Sequence, residues 1–372
     1  AIDIREAVKN GAKVALLNTY DTDQLHPTEA VIAAPNQWVN VLANVLAAVS
    51  QKMQKTVAPE LANIVEKASS DARSIEIANM FGNDNKQWIV LGKDAVSNPD
   101  FSVIRALCQN IAEISNSAFG YIAEGANMSG ASLMGVAKGN THAMIENPLK
   151  AYILVGAIDP EHDFIERKAV MKALKQAELV VAITPFVSEA LHDVATIILP
   201  ATAWGETDGS LMNLEGELQT VKAAAEPSFE SKPLWKILRV LGNEFEFSGF
   251  DYVHCSDVLA QCTDQLATTV HTNFMPYAKD LDWKSVEQSG LVAVPMESIY
   301  STDAYVRRST ALQATPLAAR KRVVGNETVN QTQWILEGQE FKVRSTVKMA
   351  ANCLRIPREF GLMINYYEAI EG

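Results

Sequence analysis

The 372 residues are 48% hydrophobic and 20% charged, too many for one compact core and too apolar for disorder, so two or three packed domains are expected. The 44 acidic residues outweigh 32 basic ones for a formal charge of -12, and no basic stretch is longer than Arg320-Lys321-Arg322, which argues against a nucleic-acid partner. The most apolar stretch, Trp38 to Val49, is interrupted by Asn40 and Asn44 and falls short of the roughly 20 apolar residues of a bilayer span, so direct membrane insertion is not expected.

The start, Ala1-Ile2-Asp3-Ile4-Arg5, carries neither a signal-like run nor an initiator Met, and a trimmed or excised segment is expected. A helix from Ile2 to Lys9 stops at Asn10-Gly11 and leads into the strand Lys13 to Asn18, half of an α/β unit. A second strand, Val31 to Ala33, ends at Ala34-Pro35. Asn36 is expected to cap a helix whose Trp38, Val41, Leu42, Val45, Leu46 and Val49 keep an i, i+3, i+4, i+7 stripe. Helical sequence continues from Val57 to about Met80. Gln87 to Gly92 reads as a strand, and Asn98-Pro99 as cap and first-turn proline of a helix through Ile111.

Ala151 to Gly156 reads as a strand, Asp159-Pro160 opens a helix to about Gln176, and the strands Leu179 to Ile183 and Val194 to Leu199 follow. Such near-continuous apolar runs suit parallel strands covered by helices on both faces. Ser210 to Val221 reads as a hairpin turning at Leu214 to Glu217. A helix from Pro233 carries Leu234, Ile237, Leu238 and Leu241 on one face and is expected to stop at Gly242. Helical sequence recurs near Ser256 to Leu266 among polar loops. The organisation expected is a partial α/β domain over 1–75, an α/β domain with parallel sheet and hairpin over 76–250, and a less regular region over 251–372.

Ligands of open parallel sheets sit outside the carboxyl ends of the strands, which points to Gly156 to Asp163, Thr184 to Glu189 and Pro200 to Gly209. Asp159, Glu161, His162 and Asp163 could serve a metal or a general base, or could be acids in a helix's first turn. Glu206, Asp208, Asn213 and Glu215 could hold a cation or be a solvated turn. Gly120, Gly125, Gly130 and Gly135 recur every five residues, allowing close approach of a ligand or of another backbone, but they match neither the dinucleotide nor the phosphate-loop pattern. Cys108, Cys255, Cys262 and Cys353 form no C-x-x-C pair, and Cys255 and Cys262 beside His254 read as helix-face thiols or a partial metal site. His26, His142, His162, His192, His254 and His271 find no nucleophile motif, with Ser129 and Ser188 ordinary loop serines.

The string Val194 to Glu217, with Leu199-Pro200, Glu206, Gly209, Asn213, Glu215 and Gly216, resembles a segment of the molybdopterin oxidoreductase family, and Lys232 to Leu238 is similar to its K-P-x-W-x-I-L helix. Within it, three further stretches resemble the large iron-sulfur subunits of bacterial NADH-quinone oxidoreductase, respiratory complex I. They are Glu124-Gly125-Ala126-Asn127 with Gly130, the strand Ala151 to Gly156, and Ser301 to Ser309 with Leu312-Gln313. The likeness reaches about Thr315. It departs at Glu217, where the family usually has Arg, the residue that would hold an anionic ligand.

The resemblance implies an α/β, doubly wound, mostly parallel fold like that of formate dehydrogenase and DMSO reductase, with a less regular C-terminal region. It implies a non-catalytic scaffold in which Glu206, Gly209, Asn213, Glu215 and Gly216 are vestigial, with no cofactor or metal of its own and iron-sulfur clusters in an N-terminal part absent from this segment. Its partners would be other peripheral-arm subunits of complex I, on the cytoplasmic side of the bacterial inner membrane. The alternative is a piece of a molybdenum or tungsten enzyme such as a formate dehydrogenase, its pterin held by the loops after the strands. A nucleotide-binding module ranks below both, because no phosphate-cradling glycine loop opens a helix.

Overall fold

The computed structural model describes residues 2–370 apart from 83–85, 123, 124, 137–140, 165, 268–273, 279, 280, 282, 284–289, 297, 317, 319–321, 330–332, 337, 359–366 and 368. Glu124, His271, Arg320 and Lys321, singled out above, lie outside the described residues.

Helix α1 (Ile2–Lys9) precedes the parallel pair β1 (Ala15–Asn18) and β2 (Glu29–Ile32). Pro35 sets a single 3-10 turn, Pro35–Gln37, so α2 (Trp38–Met53) begins after Asn36, which supplies no cap. The buried face of α2 is broader than the expected stripe: Trp38, Val45, Leu46 and Val49 are buried with Val39, Ala43 and Ala48, while Val41 and Leu42 stay half-buried. The region to Met80 breaks into a 3-10 turn at Pro59–Leu61, α3 (Ala62–Val65) and α4 (Ala72–Ala78), the last capped by Asp71 accepting from Ser74 N at 2.7 Å.

After β3 (Trp88–Leu91) and α5 (Lys93–Val96), α6 (Phe101–Ser115) starts later than Asn98-Pro99 suggests and runs past Ile111. Asn98 is buried and tied across the chain instead: its Nδ2 donates to Pro35 O at 3.2 Å and its Oδ1 accepts from Asp100 N at 2.9 Å. Strand β4 (Ala118–Tyr121) pairs parallel with β3. Helices α2 and α6 share one core, in which Leu46, Leu61 and Leu107 are 0% exposed. Each such side chain contributes about 1.5–3 kcal/mol by leaving water.

Short helices α7 (Met128–Leu133) and α8 (Thr141–Glu146) lead to β5 (Ala151–Val155), α9 (Arg167–Gln176), β6 (Leu179–Thr184), α10 (Glu189–Val194) and β7 (Ile197–Pro200). The three strands form a parallel sheet in the order β5-β6-β7. Val170, Met171 and Leu174 of α9 and Ala190, Leu191 and Val194 of α10 pack with Val180, Ala182, Leu154 and Ile198. Helix α9 begins at Arg167, not at Asp159-Pro160. Asp159 organises a separate turn in which its Oδ1 accepts from Glu161 N and its carbonyl from His162 N and Asp163 N.

The hairpin is β8 (Gly209–Met212) with β9 (Leu218–Val221). Helix α11 (Leu234–Glu244) runs through Gly242, where a Cβ would lie 2.3 Å from the Phe250 ring; this glycine makes room for an aromatic and stops nothing. Helix α12 (Cys255–Ala267) follows.

In the last part, β10 (Leu291–Met296), α13 (Ala304–Arg308), α14 (Thr310–Gln313), β11 (Val323–Asn326), β12 (Gln333–Leu336), β13 (Gln339–Thr346), β14 (Cys353–Pro357) and β15 (Ala369–Ile370) appear in turn. The strands make a mixed six-stranded sheet, β12-β13-β11-β14-β10-β15. Its core of Val292, Val294, Val323, Val343, Leu354 and Ile356 also takes in Ala34, and Tyr20 bridges Met349, so the first and last parts of the chain share one packed region.

Candidate functional site at the carboxyl ends of β5 to β7

The loops leaving β5, β6 and β7 converge where a parallel sheet takes its ligands. After β5, Asp163 Oδ2 accepts from Asp159 N at 2.7 Å and Asp159 Oδ2 lies 3.2 Å from His162 Nδ1. Partial burial works against ionisation of Asp159, but His162 and the Glu161 amide outweigh it and hold the carboxyl below its ordinary range. After β6, the buried Thr184 hydroxyl closes its own turn, donating to Phe186 O at 2.7 Å and accepting from Phe186 N at 3.2 Å. Ser188 then caps α10 by accepting from Leu191 N.

After β7, Glu206 is engaged at both oxygens: Oε1 accepts from Ser228 Oγ at 2.5 Å and Ser228 N at 3.2 Å, and Oε2 from Ala203 N at 2.9 Å. These donors, the Ser228 hydroxyl first, keep the carboxyl below its usual range. Asp208 is lowered likewise, first by the Ala223 amide at 2.8 Å and then by Lys222 at 3.1 Å.

Across all three loops lies α13, capped by Asp303 accepting from Val306 N at 2.9 Å. Arg307 Nη2 donates to Asp163 Oδ1 at 2.7 Å, both side chains mostly buried. The Tyr305 ring meets Phe186 edge-on, centroids 4.8 Å apart at 79°, and the Arg308 guanidinium sits 5.2 Å from the same ring. Burial raises the Tyr305 hydroxyl above its ordinary range, against a hydrogen bond from the Trp204 backbone in the third loop. Gln313 of α14 ties the segment down by donating to Tyr300 O at 2.6 Å and Val306 O at 2.9 Å. The string Ser301 to Gln313 is therefore the cover of the crevice. The stretch was legible as a string, but not its place over the strand ends.

The other motif residues lie at the hairpin tip. Asn213 Oδ1 accepts from Glu215 N and Glu217 N, each at 2.9 Å, and Gly216 takes the left-handed φ of 81° that the turn requires. Glu215 and Glu217 are exposed. Glu206 and Gly209 thus belong to the crevice loop and its exit, and Asn213, Glu215 and Gly216 to a turn. A residue that spacing alone did not single out, Asn127, joins the hairpin to α7: its Oδ1 accepts from Met212 N at 2.8 Å. At Gly130 a Cβ would fall 2.4 Å from that oxygen, so this glycine of the five-residue series serves close internal packing.

Cys108 and Cys353 are buried thiols pushed up to about 12 by desolvation, and Cys255 and Cys262 are half-exposed on α12. Among the described residues, no three His, Cys, Asp or Glu side chains are grouped to hold a metal ion, and no helix is long and apolar enough to cross a membrane.

Residues 1–244 match the family description "Molybdopterin oxidoreductase". The chain belongs to the molybdopterin oxidoreductase family. It is 30% identical over 125 residues, 34% of its length, to the NADPH-Fe(3+) oxidoreductase subunit alpha of Geobacter sulfurreducens, of which the match covers 14%. To the F420-dependent formate dehydrogenase 1 subunit alpha of Methanococcus maripaludis it is 26% identical over 168 residues, 44% of this chain and 23% of that protein. The chain thus matches less than a quarter of the length of these relatives. Among solved structures, acetylene hydratase from Pelobacter acetylenicus shares the fold with a TM-score of 0.69 at 13% identity, over 96% of this chain and 68% of that one. The α/β architecture with parallel sheets is that of the molybdopterin oxidoreductases; helix α13 lies beyond the residues 1–244 of the family match.

Proposed function

We propose that this molybdopterin oxidoreductase domain is a scaffold within the large iron-sulfur subunit of a bacterial NADH-quinone oxidoreductase, where it supports an iron-sulfur part and contacts other peripheral-arm subunits at the cytoplasmic side of the membrane. The observation that carries the reading is that the Ser301 to Gln313 string, whose likeness is to that subunit, is the segment laid over the strand ends. Arg307, Tyr305 and Arg308 are engaged by Asp163 and Phe186, side chains of the loops they cover.

The residues of this crevice fit a pterin poorly. To lie outside the strand ends the group would have to displace α13. It would then meet the carboxylates of Glu206 and Asp208, which their donors hold ionised.

The similarity to formate dehydrogenase subunits favours a second reading, a piece of a molybdenum or tungsten formate dehydrogenase. The two separate on one preparation: the tagged protein purified from its own cells, assayed for metals by plasma mass spectrometry and for electron donors. NADH oxidation coupled to quinone, with iron and no stoichiometric molybdenum or tungsten, is expected. Formate-driven dye reduction with stoichiometric molybdenum or tungsten would replace the first reading by the second.

A further inference from the structure

Helix α11 is strongly amphipathic by sequence, yet Gly242 is the only one of its eleven residues that is buried. Leu238 is 37% exposed and Val240 48% exposed. At its end the apolar surface is built up further. Phe250 packs on Gly242, the Phe247 ring lies 6.3 Å from Phe250, and the Phe245 ring lies 5.8 Å from Phe247. This ladder of rings runs outward into water, with Phe247 61% exposed and Phe245 64% exposed. The backbone holds it so: Glu246 N donates to Asn243 O and Phe247 N to Gly242 O, closing the helix through Glu246 at φ 58°, a conformation usually given to glycine.

Along the chain, the charges next to the rings are of one sign. Glu244, Glu246 and Asp251 flank the rings and are exposed, and no Lys or Arg occurs between Arg239 and Lys279. Arg239 is turned inward, its Nη1 donating to Tyr252 O at 2.8 Å. Acids at a helix carboxyl end oppose the helix dipole, which favours cations there. An exposed aromatic cluster with a charged rim is the make-up of a protein-docking surface. A second copy of this chain, at a net charge of -12, would bring acid against acid, and an anionic lipid surface would be repelled likewise.

We propose that the Phe245–Phe247 ladder at the end of α11 docks another protein that presents an apolar recess ringed by Lys or Arg. Cations from that partner would satisfy both the acidic rim and the helix end, while the rings would be the anchors. The inference does not depend on which assembly the chain belongs to, so it and the NADH assay above can fail separately.

The test places the photo-cross-linker p-benzoylphenylalanine at position 247 in the tagged full chain. The chain is irradiated in the assembly purified from its own cells, and the linked peptides are sequenced by mass spectrometry, with the same probe at exposed Leu25 as background. The expected result is one dominant peptide from a different polypeptide, apolar residues flanked by Lys or Arg, whose yield falls about tenfold with E244K/E246K as attraction turns to repulsion. Links only within this chain or to a second copy, a partner peptide without flanking cations, or a yield unmoved by the charge reversal would each overturn it.

Discussion

The α2–α6 core and the covered crevice at the ends of β5 to β7 are ordered by different physics. In the first, Leu46, Ile104 and Leu107 are sealed by one another, and the gain is area withdrawn from water. In the second, the contacts are polar and aromatic, Asp163 to Arg307 and Phe186 to Tyr305, joining segments far apart in the chain. A core of the first kind tolerates a change of partner if volume is kept. A cover of the second kind depends on particular atoms meeting. The crevice is thus the place where single contacts, and not buried area, hold distant segments together.

The sharpest way to break the comparison is in the core. Leu46→Ala, at a side chain 0% exposed, is expected to cost about 2–5 kcal/mol in urea unfolding, the lost transfer energy plus a cavity. A loss below about 1 kcal/mol would mean that the α2 face is not core. In the crevice, Arg307→Ala removes a donor 2.7 Å from Asp163 and leaves that carboxylate half-paired. The expected loss is about 1.5–3 kcal/mol, the range for hydrogen bonds to charged groups, with protease cutting newly exposed near Ser301 to Gln313. Unchanged stability together with unchanged protection would show that α13 is not held there by this pair.

The Phe186–Tyr305 contact divides the cover further. Single alanine substitutions at each position and the double variant form a cycle whose coupling is expected at about 0.5–1.5 kcal/mol for an edge-on aromatic pair. Zero coupling in urea melts would leave Arg307 as the holding contact of the cover.

What the sequence made legible follows the same division. The spacing of Trp38, Val41, Leu42, Val45, Leu46 and Val49 announces a helical face toward the core, all but the half-buried Val41 and Leu42 being buried, because periodicity is local. The strands of β5 to β7 and their three site loops are legible for a like reason. Asn36 and Asn98 each sit beside a proline and read as caps. Pro35 makes its own tight turn, and Asn98 is drawn to the Pro35 carbonyl 63 residues away, which no local pattern encodes. Gly242 reads as a helix stop, but its reason is the Phe250 ring. The Glu206 and Asn213 motif can be found by string, while the donors that engage Glu206, 22 residues on at Ser228, cannot. The cover is the extreme case: Arg307 and Asp163 are 144 residues apart, and their meeting is a property of the fold.

The smallest effect is expected where the chemistry of the cover is repeated in water. His142 Nδ1 lies 3.0 Å from Glu166 and its Nε2 3.2 Å from Glu146, an ion pair like Arg307–Asp163 in kind, but with side chains 55%, 44% and 62% exposed. Glu166, and then Glu146, raise the imidazole above its ordinary range. A raised folded value means that the pair's contribution is fully present below the unfolded histidine value and is lost as pH rises through the folded one. Being exposed and screened by salt, it is expected to move stability hardly at all. An NMR titration of the His142 ring is the direct measurement. Glu166→Gln should lower its midpoint toward that of a free histidine, and salt should do the same in the parent protein while leaving the Arg307-dependent protection of the cover in place. If salt released the cover as readily as it shifted His142, burial would not be what separates the two pairs, and the contrast between crevice and surface would be lost.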